Sequence, residues 1–395
     1  MRILVFNAGS SSLKFGVFEM AGAETHCLKG GFDRFQDDHC TLKLTAGDEE
    51  VSRHVACADI GAAASMVPGL LAEFGLSELD AVGHRIAHGG PDFAEPALLD
   101  DAAILAIEAV TPLAPLHNPA NLEAIRLARA LWPDVPQVGV FDTAFHRTNP
   151  PAATTYAVPL AWREAGLRRY GFHGASHKYV AQRAAEALGQ PLATLRIVSC
   201  HLGNGASACA IDGGVSLDSS MGITPLEGLV MGTRSGDVDP GAFGYLKRQL
   251  GLSVEEIEDA LYRQSGLLAL GGVADMRDIE ARAGEGDADA QLAIEVYAWR
   301  ARKYIGAYAA IMGGMDALVF TGGIGENSPA MRARICEGLE FLGVEIDPAR
   351  NRTVNLEDRA APRIEREGVR TAVIVTETAE QLMIARETVQ KLAGA

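Results

Sequence analysis

The feature that most constrains this chain is a strand, turn and strand design that occurs twice. Ile3-Leu4-Val5-Phe6-Asn7-Ala8-Gly9-Ser10-Ser11-Ser12-Leu13-Lys14-Phe15 runs from an apolar strand through small residues into a second strand. Ile197-Val198-Ser199-Cys200-His201-Leu202-Gly203-Asn204-Gly205-Ala206-Ser207-Ala208-Cys209 has the same layout, and aligning Gly9 with Gly203 superposes the two hairpins without a gap. Copies about 194 residues apart predict two domains of similar fold facing one another. A length of 395 residues suits two compact domains, or three. A third glycine turn, Thr321-Gly322-Gly323-Ile324-Gly325-Glu326-Asn327, follows a strand and opens a helix.

Short apolar runs alternate with helical patterns, which predicts an α/β protein with mixed sheets flanked by helices. Strands are expected at Ile3–Phe6, Leu13–Phe18, Ala81–Ile86, Val138–Phe141, Ile197–Cys200, Ala206–Ile211, Ala317–Phe320 and Ala372–Val375. Asn118-Pro119 reads as a cap residue followed by proline at the first helical position, and Ser253 with Glu256 as a capping box on a helix closed by Gly266. Thr148-Asn149-Pro150-Pro151 is the nearest thing to a boundary. Tyr304 to Gly325 carries one charge, Asp316, but its glycine pairs cut it, so it reads as a buried helix followed by a core strand rather than a membrane span.

Composition limits the partners. With 35 Lys and Arg against 51 Asp and Glu the net charge is −16, which disfavours nucleic acid and anionic membranes. The N-terminus has no apolar leader segment, and Cys27, Cys40, Cys57, Cys200, Cys209 and Cys336 show no CxxC spacing, so a reducing cytoplasm is expected.

Glycine turns between strands leave backbone N–H groups unshielded, and such nests bind phosphate oxygens, with Ser10, Ser11, Ser12 and Lys14 adding donors and charge. One such turn is also what any hairpin needs; three, two of them duplicates, point to a nucleotide site. Neither GxxxxGK[ST] nor a GxGxxG after the first strand is present. A second group sets basic residues beside glycine: Gly83-His84-Arg85-Ile86-Ala87-His88-Gly89-Gly90, Tyr170-Gly171-Phe172-His173-Gly174-Ala175-Ser176-His177 and Met231-Gly232-Thr233-Arg234-Ser235-Gly236-Asp237. Arginine beside glycine can reach a small anion and grip it bidentately. The HxxxH pairs His84/His88 and His173/His177 are also metal-ligand spacing on a helix, yet both lie in glycine-flanked segments that make poor helices. Asp142 ends a buried strand, where catalytic groups gather in α/β sheets and where a turn aspartate is equally at home. Asp275 and Arg277 can serve a ligand or simply cap a helix, and Glu380 opens the last helix, where a carboxylate suits the dipole.

Asn7 to Lys14, Gly83 to Gly90, Phe141-Asp142-Thr143-Ala144-Phe145-His146, Gly171-Phe172-His173-Gly174, His201-Leu202-Gly203-Asn204-Gly205, Arg234-Ser235-Gly236-Asp237 and Gly323-Ile324-Gly325-Glu326-Asn327 resemble, in order and spacing, the motifs of the acetate kinases. The resemblance covers the chain from residue 3 to its end. It implies the duplicated actin-like, ribonuclease-H-like fold of the sugar-kinase-like ATPases, with a cleft between domains. Residues 1–147 with 381–395 would form the N-terminal domain and 148–380 the nucleotide-binding one. It further implies direct in-line transfer of the ATP γ-phosphoryl to acetate by a cytoplasmic homodimer using Mg²⁺, with Mn²⁺ as a substitute.

Position by position, the resemblance assigns Asn7 and Glu380 to the metal, and Ser10, Ser12 and Lys14 to the phosphates. His201, Leu202, Gly203, Asn204, Gly205, Asp275, Met276, Arg277, Gly323, Ile324, Gly325, Glu326 and Asn327 would hold the nucleotide. Arg85 would bind the acyl carboxylate, with Ala87, Leu116, His117, Phe172 and Pro225 around the acyl group; Asp142 would be the catalytic acid, and His173 and Arg234 would stabilise the transition state. A carboxylate acceptor has a pKa near that of Glu, about 4.3, so it needs no base. Repulsion between acceptor and triphosphate is the obstacle, which makes Asp142 a positioner or a ligand to metal-bound water rather than a proton acceptor.

Two departures from the family pattern stand out. Thr378-Ala379-Glu380-Gln381 replaces the usual Thr-Asn-Glu-Glu, leaving Glu377 as a second candidate for the metal. Ala87 stands where valine is usual and would leave room for propionate, a rival substrate. A rival of another class is a nucleotide-gated protein of the same superfamily without kinase activity.

Overall fold

The computed structural model describes residues 1–9, 12–36, 39–357 and 360–394. They form two compact units, Met1–Phe145 with Ala379–Ala395, and His146–Thr378. Each is built on one mixed sheet.

The first unit carries β1 (Arg2–Ala8), β2 (Ser12–Glu19), β3 (Thr25–Gln36), β4 (His39–Ala46), β5 (Glu49–Ala56), β6 (Ala81–Ile86), β7 (Ala97–Leu98) and β8 (Gln137–Phe141), in the order β5-β4-β3-β2-β1-β6-β8-β7. The second carries β9 (Arg196–Leu202), β10 (Ala206–Asp212), β11 (Val215–Ser219), β12 (Ala317–Thr321) and β13 (Ala372–Val375), in the order β11-β10-β9-β12-β13. The run β3-β2-β1-β6-β8 and the whole second sheet share one pattern: two antiparallel pairings, then two parallel ones. The duplication suggested by the two hairpins is therefore a duplication of sheets.

The superposition of the hairpins is not gapless. Ala8 pairs with Leu13, whereas Leu202 pairs with Ala206, so the first turn is one residue longer. A turn residue changes strand register, and sequence identity around Gly9 and Gly203 does not report it.

Continuous apolar runs mark strands covered on both faces. Ile3, Leu4, Val5 and Phe6 of β1, Ile197, Val198 and Cys200 of β9, and Ala317 to Phe320 of β12 are all buried. In the first unit, Ala63, Val67 and Leu71 of the helix Ile60–Glu73 and Ala124 and Ala128 of the helix Asn118–Leu131 share a core with Leu4 and Phe6. The last helix, Glu380–Ala393, packs on β1, β6 and β8. It can lie that close because β6 has glycine there: a Cβ on Gly83 would sit 2.6 Å from Thr388 Oγ1 and 3.0 Å from Ile384 Cγ2. In the second unit, Tyr297, Ala301 and Ile305 of the helix Ala288–Ile311 cover Val198, Ala208 and Ala210. The apolar stretch after Tyr304 is that helix followed by β12, as the glycine pairs indicate. Among the described residues, no helix is long and apolar enough to cross a membrane.

Three local expectations need correction. Asn118 is the first helical residue and His117 the cap, because the Asn118 side chain is drawn into bonds with the His88 backbone. The Ser253/Glu256 capping box is present, but its helix ends at Arg263 and Gly266 opens the next one. His177 does lie in a helix, Gly174–Leu188, despite the flanking glycines.

Buried histidines make stability depend on pH. Burial pushes the imidazoles of His84 and His146 down to about 4, against hydrogen bonds to Gln137 and the Phe172 carbonyl that pull the other way. Both are neutral in the folded chain, while the unfolded chain takes up protons near pH 6.5. Stability is thus fully present above pH 6.5 and falls as pH drops towards 4, by roughly 3 kcal/mol per histidine. Urea titrations between pH 7 and 4 should show this fall, with a shallower slope in a His84→Gln variant.

Candidate active site

Parallel strands gather side chains at one end. In the first unit β1 pairs with β6 at Phe6 and His84, and β6 with β8 at Ile86 and Phe141, so Asn7, Arg85 and Asp142 meet at the C-terminal ends of three neighbouring strands. Arg85 Nε donates to Asp142 Oδ1 at 2.8 Å and Nη2 to Oδ2 at 2.6 Å, a bidentate pair; Nη1 donates to Asn7 Oδ1 at 3.1 Å. Burial opposes the guanidinium charge, but Asp142 and the field of Glu380 outweigh it and hold Arg85 firmly charged. Asp142 is almost fully buried and its backbone N–H is tied to Ile86 O at 2.9 Å.

The loop after β6 is set by two asparagines of the helix Asn118–Leu131. Ala87 N donates to Asn121 Oδ1 at 3.0 Å, and Asn121 Nδ2 donates to Ala8 O at 2.8 Å. His88 N donates to Asn118 Oδ1 at 3.1 Å. Leu116 is part-exposed just before the cap residue His117. Lys14 is exposed on β2, opposite Asn7 in the ladder. Ser12 is half-buried, and its carbonyl accepts from Gly9 N at 2.8 Å. Ser10 and Ser11 lie outside the described residues.

Asn7 Oδ1 and Glu380 offer one amide oxygen and one carboxylate. Among the described residues, no group of three or more His, Cys, Asp or Glu is arranged to hold a metal. So sparse an all-oxygen set fits Mg²⁺, which keeps waters and takes substrate phosphates as ligands, and does not suit a cation that needs a protein cage. The HxxxH pairs make no metal site: His84 Nε2 is bonded to Gln137 Oε1, and both His177 nitrogens to serine hydroxyls.

The second unit holds the other cluster. His173 is the only non-glycine residue at positive φ (58°) among the described residues, just before the helix Gly174–Leu188. Such a conformation is held only where its surroundings impose it, and it is common at functional sites. The ring stacks on His201 with centroids 4.3 Å apart. A Cβ on Gly205 would stand 3.7 Å from His173 Nε2 and 3.7 Å from Arg234 Nη1, so imidazole and guanidinium converge over a bare backbone. Arg234 Nη1 is braced by the Pro225 carbonyl at 3.2 Å. His201 Nε2 and the N–H of Gly323 both lie 3.9 Å from the corresponding point at Gly203.

Beside these residues is a cavity of about 620 Å³. Gly203, Asn204, Asp275, Met276, Arg277, Gly323, Ile324 and Asn327 line it, with Ala274, Glu280 and Ser328, which sequence reasoning missed. Asp275 caps the helix Met276–Gly284 and also pairs with Arg277, so its capping and lining readings hold together. A volume of this size is that of a cofactor-sized ligand site.

Four residues nominated from the motifs lie elsewhere. Glu326 turns back on its own helix: Oε1 accepts from Gly322 N at 2.9 Å and Thr378 N at 2.8 Å, since a carboxylate at a helix start is drawn to the orphan N–H groups there. Leu202 is a core residue of β9, and the Phe172 ring is buried in the same core while its carbonyl accepts from His146 Nε2. Gly325 is buried under β12.

Gly322 is required where it stands. Its φ is +78°, and a Cβ would lie 2.7 Å from the Leu202 carbonyl oxygen. Gly322→Ala should therefore push the turn off β9, raise the apparent Kd for ATP at least tenfold and lower stability by about 1–3 kcal/mol, checked by nucleotide titration and urea unfolding.

The acetokinase family model matches residues 2–386. The chain belongs to the acetokinase family. An acetate kinase of Geobacillus kaustophilus strain HTA426 is 47% identical over 399 aligned residues, covering 100% of this chain and 99% of the relative. The crystal structure of Porphyromonas gingivalis acetate kinase matches this acetokinase with a TM-score of 0.91 at 41% identity, 99% of each chain being covered. A propionate kinase from Francisella tularensis subsp. tularensis SCHU S4 also matches it, with a TM-score of 0.91 at 39% identity and 98% coverage of each chain. As a member of this family it is a phosphotransferase with a carboxylate acceptor.

Proposed function

We propose that this chain transfers the γ-phosphoryl group of ATP to acetate, reversibly, giving acetyl phosphate and ADP. The observation that carries this reading is the convergence of Arg234 and His173 over Gly205, beside a nucleotide-sized cavity built on two glycine turns. A protein that only senses nucleotide needs the cavity but not these two groups, which offset charge on a phosphoryl in transit.

The acceptor needs no base, because acetate is ionised at neutral pH. It needs a fixed cation. Arg85 has five N–H donors, of which three are spent on Asp142 and Asn7, and the remaining two are left for the acceptor carboxylate. Asp142 keeps the guanidinium charged and oriented and acts as a positioning residue. Ala87, Leu116, His117 and Pro225 surround the acyl group in this reading. The residues lining the cavity hold the nucleotide together with His201, and Ser10, Ser12 and Lys14 meet the phosphates.

Asn7 and Glu380 hold Mg²⁺, with Mn²⁺ as a substitute. When bound, the ion neutralises charge on the phosphate oxygens and so lowers the repulsion against acetate. Glu326 and Phe172 act indirectly, by shaping the turns on which the ligand rests. The reading also includes a homodimer in the cytoplasm, to be checked by sedimentation for twice the chain mass of 41.8 kDa.

The test is ³¹P NMR of the full chain with ATP, MgCl₂ and acetate. Resonances of acetyl phosphate and ADP should grow together. ADP appearing with inorganic phosphate alone, or an unchanged ATP spectrum, would overturn the proposal.

A further inference from the structure

Behind His173 runs an unbroken chain of hydrogen bonds that phosphate binding does not require. His173 Nδ1 is 2.8 Å from Ser207 Oγ, Ser207 Oγ is 2.8 Å from His177 Nε2, and His177 Nδ1 is 2.7 Å from Ser199 Oγ. Ser199, Ser207 and His177 are wholly buried. His177 titrates well below the usual histidine range because of burial, with the charges of His146 and His201 acting the same way, and so it stays neutral. A neutral imidazole has one N–H, and a hydroxyl one O–H.

Three proton arrangements fit these contacts, and one of them, in which His177 Nε2–H and His173 Nδ1–H both donate to Ser207, leaves the buried Ser207 proton without an acceptor among the described residues. The other two differ as follows. In the first, Ser199 donates to His177 Nδ1, His177 Nε2–H donates to Ser207, and Ser207 donates to His173 Nδ1. The protons of Ser199, His177 and Ser207 then each have an acceptor. In the second, His177 Nδ1–H donates to Ser199, Ser207 donates to His177 Nε2, and His173 Nδ1–H donates to Ser207. The Ser199 hydroxyl proton is then left without an acceptor among the described residues, in a place that water does not reach. The first arrangement wins, and it leaves the His173 proton on Nε2, the nitrogen that faces Gly205 and Arg234.

We propose that Ser207, His177 and Ser199 are positioning residues that fix the tautomer of His173, so that its Nε2–H meets the transferring phosphoryl group as a donor. The proposal rests on the kinase reading for its consequence in turnover, but not for the tautomer itself. It also accounts for the left-handed backbone at His173, which brings Nδ1 onto β10 while the opposite edge faces the site.

The experiment is a long-range ¹H–¹⁵N correlation on the full chain labelled at its histidine nitrogens, with the His173 signals identified by their loss in His173→Gln. His173 should show a protonated Nε2 and an unprotonated Nδ1. Ser207→Ala should give a mixed tautomer and lower kcat by about 10- to 100-fold, less than the full contribution of a positioned proton donor, with KM for ATP and acetate within about twofold. Ser199→Ala, two bonds further back, should shift the tautomer the same way without touching the His173 contact, and it gives the same reading if Ser207→Ala does not fold. A wild-type proton on Nδ1, or a tautomer unchanged in both variants, overturns the proposal. If no acetyl phosphate forms at all, the kinase reading fails while the tautomer result still stands or falls on the spectrum.

Discussion

Arg85→Ala is expected to lower kcat/KM for acetate by about 10³-fold, a loss of roughly 4 kcal/mol of transition-state stabilisation. The magnitude follows from what the guanidinium does: it is the fixed cation at the strand ends of the first unit, held charged by Asp142 and Glu380 and oriented by two bonds to Asp142. Without it the acceptor carboxylate has no partner to offset its repulsion from the triphosphate. The same change takes the guanidinium away from the buried Asp142 carboxylate, so stability should fall by about 3 kcal/mol. Arg85→Ala with Asp142→Ala separates the two effects. The double variant should regain most of the stability, because the buried carboxylate is removed along with its guanidinium, and none of the activity. Urea unfolding and acetyl phosphate formation on the same four proteins complete the cycle. Recovery of activity in the double variant would mean that Arg85 only neutralises Asp142.

The second large effect is expected at Arg234. Its guanidinium stands over Gly205 beside His173 and is braced by the Pro225 carbonyl. Such a group acts on charge that develops in transfer rather than on the bound ground state. Arg234→Ala should reduce kcat by about 10³-fold while KM for ATP moves by less than about fivefold. Arg234→Lys keeps the charge but loses the fork, so it should recover only a small part of the rate. A large rise in KM with kcat intact would place Arg234 in nucleotide binding instead.

What the sequence revealed and what it hid follow from the range of the interactions. Glycine turns and apolar strands are local signals, and the two hairpins, β6, β8, β12 and the capping box at Ser253 stand where those signals lie. β5 was missed because its residues EEVSRHVA are mostly exposed and have no apolar alternation. Asn118 was misread because a partner in another loop, His88, decides whether an asparagine caps or is drawn inside. The Arg85–Asp142 pair joins residues 57 positions apart, and no local pattern announces it.

Glu326 illustrates the same limit within a motif. Its position in Gly323-Ile324-Gly325-Glu326-Asn327 suggests ligand contact, yet its carboxylate binds Gly322 and Thr378. Ser207 and Ser199 looked like ordinary strand residues; only the placement of β9 and β10 against the helix Gly174–Leu188 makes them partners of histidines.

The most direct test of the central claim is a hydroxamate assay of acyl phosphate formation with ATP and Mg²⁺ on acetate, propionate and butyrate. The account predicts the highest kcat/KM on acetate, with propionate lower by about 10- to 100-fold, the range for one methylene in an apolar pocket. Propionate preferred over acetate would contradict it and make Ala87 the residue to change next. Absence of acyl phosphate with all three, while the chain still binds ATP, would contradict the kinase reading itself.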